Sequence, residues 1–266
     1  MVLGASDLIL LNDEPIENAK RLSQIVPSVE LMLDGDAWDD ADGAWERLAG
    51  KLAEPAWEFT VHPPAWDHNV AAGLHSLRHT AQELNKKALE LAVRVGAKQM
   101  VFHTGYCDRN SRFSRELAQR RSMEALQELI ELAKPHGITL GVENVSTPQN
   151  SLCTQEEYVH ILDGVDDTAQ YLLDLGHAHM NGWDIPWVLE NIGPRLCGLH
   201  IHDNNGRGDQ HLPIFQGSIP WGKVFAVMDT LRDDCHFILE YAPGTALDDL
   251  RQGADILRSR FTAREL

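Results

Sequence analysis

Short apolar runs alternate along this chain with longer stretches in which apolar residues recur every three to four positions. The runs are VLGA (2–5), SVELML (28–33), EFTVH (58–62), QMVFH (99–103), ITLGVE (138–143), QYLLDL (170–175), LCGLHIH (196–202) and HFILEY (236–241). Each is short and rich in β-branched, aromatic or leucine residues, as strands buried on both faces of a parallel sheet are. Between them, PIENAKRLSQIV opens with Pro15 and carries Glu17 early, both signals of a helix start. GLHSLRHTAQELNKKALELAVRVG closes on Gly96, and SRELAQRRSMEALQELIELAKPHG runs out at Pro135 and Gly137. TQEEYVHILDG begins with a capping box from Thr154 to Glu157. IPWVLENIG, IPWGKVFAVMDTL and TALDDLRQGADILRSRF supply the later helices, and the acidic DGDAWDDADGAWE (34–46) reads as a solvated turn and helix start.

Eight strand-then-helix units is the count of a (β/α)8 barrel. The rival, an open doubly wound sheet, has fewer repeats and often a glycine-rich phosphate loop after its first strand. LGAS offers neither GxGxxG nor GxxxxGK at that place. The expected fold is therefore α/β, a single (β/α)8 TIM barrel over residues 1–266 with its active site at the C-terminal ends of the strands.

Composition narrows the function without naming it. A chain of 266 residues, 43% hydrophobic, has the size and core of one such barrel. The net charge of −17 gives no basic face and counts against a nucleic acid partner. There is no stretch of about 18 apolar residues to span a membrane. The first residues put no Lys or Arg ahead of their apolar run, unlike a signal peptide. Cys107, Cys153, Cys197 and Cys235 are widely spaced and form no CxxC pair, so the expected setting is the reducing cytoplasm.

Barrel chemistry sits where strands end. Strand three ends at His62, strand four at His103 and strand five at Glu143. Strand six reaches Asp174, with His177 three residues on. Strand seven carries His200, with Asp209 and His211 in the loop that follows, and strand eight ends at Glu240. Six successive strands thus end in His, Asp or Glu, types that make up about one residue in five. Imidazole and carboxylate are the ligands of Zn, Mn, Co or Mg, and unpaired carboxylates meeting at one mouth repel unless a cation neutralises them. A Glu that finishes a buried apolar strand needs a partner, which weights Glu143 and Glu240. The Asn-Asn-Gly-Arg-Gly run gives the loop turn conformations and, in Arg207, a cation for an anionic substrate group. Trp66 lies near the mouth, as a surface to stack on a sugar ring or as an apolar lid. His202 and Asp203 read as outer supports or surface groups. His68, His75, His79, His136, His160, His179 and His236 show no convergence.

The motifs FHTG, GVEN, LDLGHAH, LHIHDNN…DQHLP and LEY resemble those of the xylose isomerase-like barrel superfamily, over about residues 28 to 241. That superfamily includes sugar and sugar-phosphate isomerases and epimerases, and endonuclease IV. The likeness to tagatose-epimerase-like enzymes implies one metal held by Glu143, Asp174, His200 and Glu240. It also implies that Glu143 and Glu240 act as the acid/base pair and that His177 contacts substrate. The likeness to endonuclease IV implies up to three zincs, with His62, His103, His177, Asp209 and His211 added to the same four. Phe215 stands where relatives often carry the first Gly of a Gly-x-Gly after HLP.

Two activities follow as expectations. The first is a divalent-metal-dependent isomerase or epimerase of a sugar or sugar phosphate. In it, Glu143 and Glu240 move a proton through a metal-stabilised enediolate, and His177 and Arg207 hold hydroxyl or phosphate groups. The second is an endonuclease IV-like zinc phosphoester hydrolase, against which the acidic balance counts. A non-catalytic sugar-binding or dehydratase relative on the same barrel is a third. Self-association into a homo-oligomer stays open.

Overall fold

The computed structural model describes residues 1–53, 57–107, 114–145 and 147–261. Eight parallel strands close into a barrel in sequence order: β1 Val2–Ser6, β2 Ser28–Met32, β3 Glu58–His62, β4 Gln99–His103, β5 Thr139–Glu143, β6 Ala169–Asp174, β7 Leu196–Ile201 and β8 His236–Leu239. All eight expected runs are strands; β3 and β4 match their runs end to end, and the other six differ by a residue or two at an end. Helices return the chain between them: α1 Pro15–Leu22, α2 Ala44–Leu52, α3 His75–Val95, α4 Arg115–Ala133, α5 Gln155–Tyr158, α6 Leu175–Met180, α7 Ile185–Ile192, α8 Trp221–Met228 and α9 Leu247–Phe261.

Local chemistry sets the helix ends. Gly96 takes the left-handed conformation after α3, and Ser114 Oγ caps α4 by accepting from Leu117 N. The capping box at Thr154 is present, yet α5 lasts only four residues. Beyond it the backbone continues in three-residue turns, His160 N to Glu157 O, Ile161 N to Tyr158 O and Asp163 N to His160 O. The helix expected over the whole TQEEYVHILDG stretch is therefore one turn and a chain of tight bends. Another short helix, α6, starts directly on the end of β6, where Asp174 Oδ1 accepts from His177 N.

The helices bury their apolar faces against the outside of the sheet. Val101, Leu172 and Cys197 form a separate buried cluster, joining β4, β6 and β7. Strands that are not neighbours can meet only through the middle of the barrel, so this cluster is its interior packing. Register then fixes the rim. Met32 lies beside His62, His103 beside Glu143 and Asp174 beside His200, while Glu240 N bonds Ile201 O just past β8.

Candidate metal centre and active site

The six strand-end residues expected to converge do so. His62, His103, Glu143, Asp174, His200 and Glu240 are all buried. His200 Nδ1 lies 3.3 Å from Glu143 Oε1, 3.5 Å from Glu240 Oε2 and 3.9 Å from Asp174 Oδ2. Three carboxylates around one imidazole nitrogen is a poor arrangement for an empty site and a good one for a cation. Ligand atoms of Glu143, Asp174 and His200 all lie within 4.8 Å of one another. Glu240 Oε1 is buried with no hydrogen-bond partner among the described residues. The donor set, one imidazole and three carboxylates, suits Zn or Mn and so fits a divalent cation.

Two further clusters flank this one. His62 Nε2 and His103 Nε2 are 3.0 Å apart, and His103 Nε2 is 2.9 Å from Glu143 Oε2. His62 Nδ1 donates to Pro63 O, which leaves Nε2 as a lone pair facing the site. On the other side, His177 Nε2 and His211 Nε2 lie 3.2 and 3.3 Å from Asp209 Oδ2. His211 Nδ1 donates to Glu240 O, so here too Nε2 is turned inward. The nine residues of the longer expected set therefore gather in three adjoining groups.

Burial and charge pull the protonation states apart. Burial, with the neighbouring His103 ring, pushes His62 down to about 3. For His200 burial acts in the same direction, but Glu240, Glu30 and Glu143 overcome it and hold its pKa well above the usual histidine range. His177 is held high against burial by Asp174 and Asp209, and His211 is raised to about 9 by Asp209 and Glu240. Burial raises Glu240, whereas His200 and His103 hold Glu143 well below the ordinary carboxylate range despite its burial.

A cavity of about 230 Å3 opens over these groups. His62, His103, Glu143, His177 and Glu240 face it from one side, and Leu8, Met32 and Val145 add apolar wall. Trp66 lines it at the rim and is 54% exposed. A larger hollow of about 500 Å3 lies outside the barrel between α2 and α3, beside Trp45, Lys87 and Arg94, away from all the convergent groups.

Arg207 does not join the site. Its loop stretch is exposed, its backbone N–H is taken by Asn205 Oδ1, and it is absent from the cavity wall. Gly206 before it takes the left-handed conformation, with φ of 73°. His68, read as merely structural, does line the cavity, with Nε2 donating to Ala81 O and its ring edge-on to His103. Glu30 was missed altogether. It lies in the middle of β2 rather than at a strand end, and its Oε1 is 3.0 Å from His200 Nε2. The signal available was a carboxylate inside an apolar run. His202 supports the centre from outside, with Nε2 3.1 Å from Asp174 Oδ2 and its ring stacked on His211. Asp203 holds the loop by accepting from Ile219 N and Trp221 Nε1. Phe215, in place of a glycine, takes φ of 71° and packs edge-on to Trp221 and Phe225. The left-handed turn that a glycine would make is kept, at a strain of about 1–2 kcal/mol.

Comparison with known proteins adds the following. The chain is 29% identical over 222 residues to a protein of Methanocaldococcus jannaschii, MJ1614, an alignment covering 82% of this chain and 84% of that one. It is 24% identical over 180 residues to fructoselysine 3-epimerase of Escherichia coli O157:H7, covering 66% of this chain and 64% of the enzyme. The fold matches a D-tagatose 3-epimerase-like protein with a TM-score of 0.83 at 22% identity, covering 99% and 98% of the two chains. It also matches IOLI protein, solved with a binding zinc atom, with a TM-score of 0.80 at 18% identity over 99% of each chain. The model of the xylose isomerase-like TIM barrel family matches residues 20–260, so this chain, with its buried His, Asp and Glu side chains at the strand ends, belongs to that family.

Proposed function

We propose that the chain is a divalent-metal-dependent isomerase or epimerase of a sugar or sugar derivative. The observation that carries this is the grouping of Glu143, Asp174, His200 and Glu240 beneath a small cavity, with two of the carboxylates lining it. Relatives of the same barrel that act on sugars support the substrate class. The cavity is smaller than the roughly 300–1,000 Å3 of pockets for drug-sized ligands, which suits a small polar substrate.

Glu143, Asp174, His200 and Glu240 would hold the cation. When bound, it supplies Lewis-acid polarisation of a substrate carbonyl. The remaining work belongs to the chain. Of Glu143 and Glu240, one carboxylate removes the proton from the carbon beside the carbonyl. The other delivers a proton to the neighbouring carbon or the opposite face. His177 donates to or accepts from a substrate hydroxyl, and Leu8, Met32 and Trp66 exclude water from the reacting carbon. Arg207, off the cavity, takes no part.

The test is isotope exchange. The purified protein with added Zn, Mn, Co or Mg is incubated with D-fructose or D-tagatose in deuterium oxide. Wild type is expected to wash deuterium into carbon, and Glu240→Gln to lose at least about 100-fold of that rate. Exchange by Glu240→Gln at the wild-type rate would remove the acid/base assignment.

A second reading has its own observation. The ligand atoms of His62, His103 and Glu143 lie within 4.8 Å of one another, and His177 and His211 approach Asp209 Oδ2 at 3.2 and 3.3 Å, positions for two more cations such as a zinc phosphoester hydrolase of the endonuclease IV kind uses. Metal analysis separates the two. About one ion per chain favours the isomerase; about three, with cleavage of an abasic-site oligonucleotide, favours the hydrolase.

A further inference from the structure

We propose that Glu30 is a positioning residue. From the middle of β2 it holds the imidazole of His200 in the orientation and tautomer that present Nδ1 to the cation. The proposal rests on the cation site described above, and its evidence is a contact on the far side of the ring. His200 is fully buried on β7, and Glu30 is fully buried on β2, across the barrel. Nδ1 faces Glu143, Glu240 and Asp174, whereas Nε2 faces only Glu30 Oε1 at 3.0 Å. Among the described residues neither of these two atoms has an aligned hydrogen-bond partner, and the 3.0 Å approach pairs the one buried polar atom with the other.

A carboxylate buried deep in a barrel is costly unless it is paired. Glu30 Oε2 is satisfied by Thr60 Oγ1, which donates at 3.0 Å from β3. Its other oxygen is left for His200. Imidazole has one nitrogen to ligate and one to donate, and an acceptor behind the ring decides which is which. A proton on Nε2, shared with Glu30, leaves the Nδ1 lone pair free for a cation. Thr60, Glu30 and His200 then form one line of contacts from β3 through β2 to β7, ending at the centre. Glu30 does not line the cavity, so it acts through His200.

The test uses the full chain, stripped of metal with a chelator and titrated with Zn2+ against a chromophoric competitor. Glu30→Gln keeps shape and an acceptor; Glu30→Leu removes the acceptor. The expected result is a Zn2+ Kd weakened about 10–100-fold by Glu30→Leu, and less by Glu30→Gln. Nitrogen NMR of the histidine rings gives a second readout. In Zn2+-loaded wild type His200 carries its proton on Nε2, slow to exchange with solvent, and Glu30→Leu loses that slow proton. Wild-type Zn2+ affinity in Glu30→Leu, with a native circular dichroism spectrum, would overturn the proposal. Should that variant not fold, the near-isosteric Glu30→Met, which also lacks the carboxylate acceptor, decides: an unchanged Zn2+ Kd and an unchanged slow Nε2 proton in it would overturn the proposal. A wild-type chain that binds no Zn2+ would overturn the cation site as well, whereas variants that bind like a competent wild type overturn only the role of Glu30.

Discussion

Asp7 shows how one buried group carries a pH dependence of its own. It follows β1, accepts Met32 N at 2.7 Å, and its pKa is raised from 3.8 to about 7 by burial, with the nearby Glu30 carboxylate adding to the shift. Between pH of about 4 and about 7 the folded chain keeps a proton there that the unfolded chain has lost. Stability therefore falls as pH rises across that window. Asp7→Asn is expected to remove this slope and to be about 2–4 kcal/mol more stable than wild type at pH 8, measured by urea unfolding. Equal stability of the two at pH 8 would show that Asp7 is ionised in the fold at little cost. At the same scale, the meeting of the strand-end His, Asp and Glu residues was legible because an ionisable residue at the end of an apolar run is unusual and barrel strands all end at one mouth. Glu30 was not, because a mid-strand carboxylate declares its purpose only when the opposite strand's partner is known. Arg207 was misplaced because a loop's composition does not give its direction.

Among the elements, α5 and α6 tie chemistry to support. Tyr158, at the end of α5, places its hydroxyl 2.9 Å from Val142 O and 2.8 Å from Leu172 O, next to Glu143 and Asp174 along β5 and β6. Tyr158→Phe leaves two buried carbonyls without that donor and should cost about 1–3 kcal/mol in denaturant unfolding. An unchanged midpoint would mean that the strands hold these carbonyls unaided. In α6, a Cβ on Gly176 would overlap the His202 ring. Gly176→Ala should cost about 1–3 kcal/mol and shift His202 away from Asp174, which a crystal structure of the variant would check. The sequence placed the strands well because their apolar runs are the core itself. It overextended α5 because the capping box marks a helix start and nothing in the pattern marks so early a stop.

For the whole molecule, the candidate centre gathers side chains from every strand from β3 to the end of β8, so a cation bound there would brace most of the barrel. A cation that binds only the folded chain stabilises it by about 4 kcal/mol at 1,000 times its Kd. Adding Zn2+ to metal-free protein should therefore raise Tm by several degrees, and His200→Ala should abolish most of that rise. An equal rise in the variant would place the bound ion elsewhere. The net charge of −17 bears on this scale too, since each divalent ion bound offsets part of the self-repulsion. No helix among the described residues is long and apolar enough to cross a membrane.

The sequence by itself determined the barrel and which ionisable residues end its strands, because the spacing of apolar residues follows from which faces must be buried, and residue type marks the interruptions. Tertiary structure alone decided how those residues divide into groups, that Glu30 backs His200, and that Arg207 lies off the cavity wall. These are relations between strands and loops far apart in the chain, and distances across a barrel depend on register and closure, which local pattern does not encode.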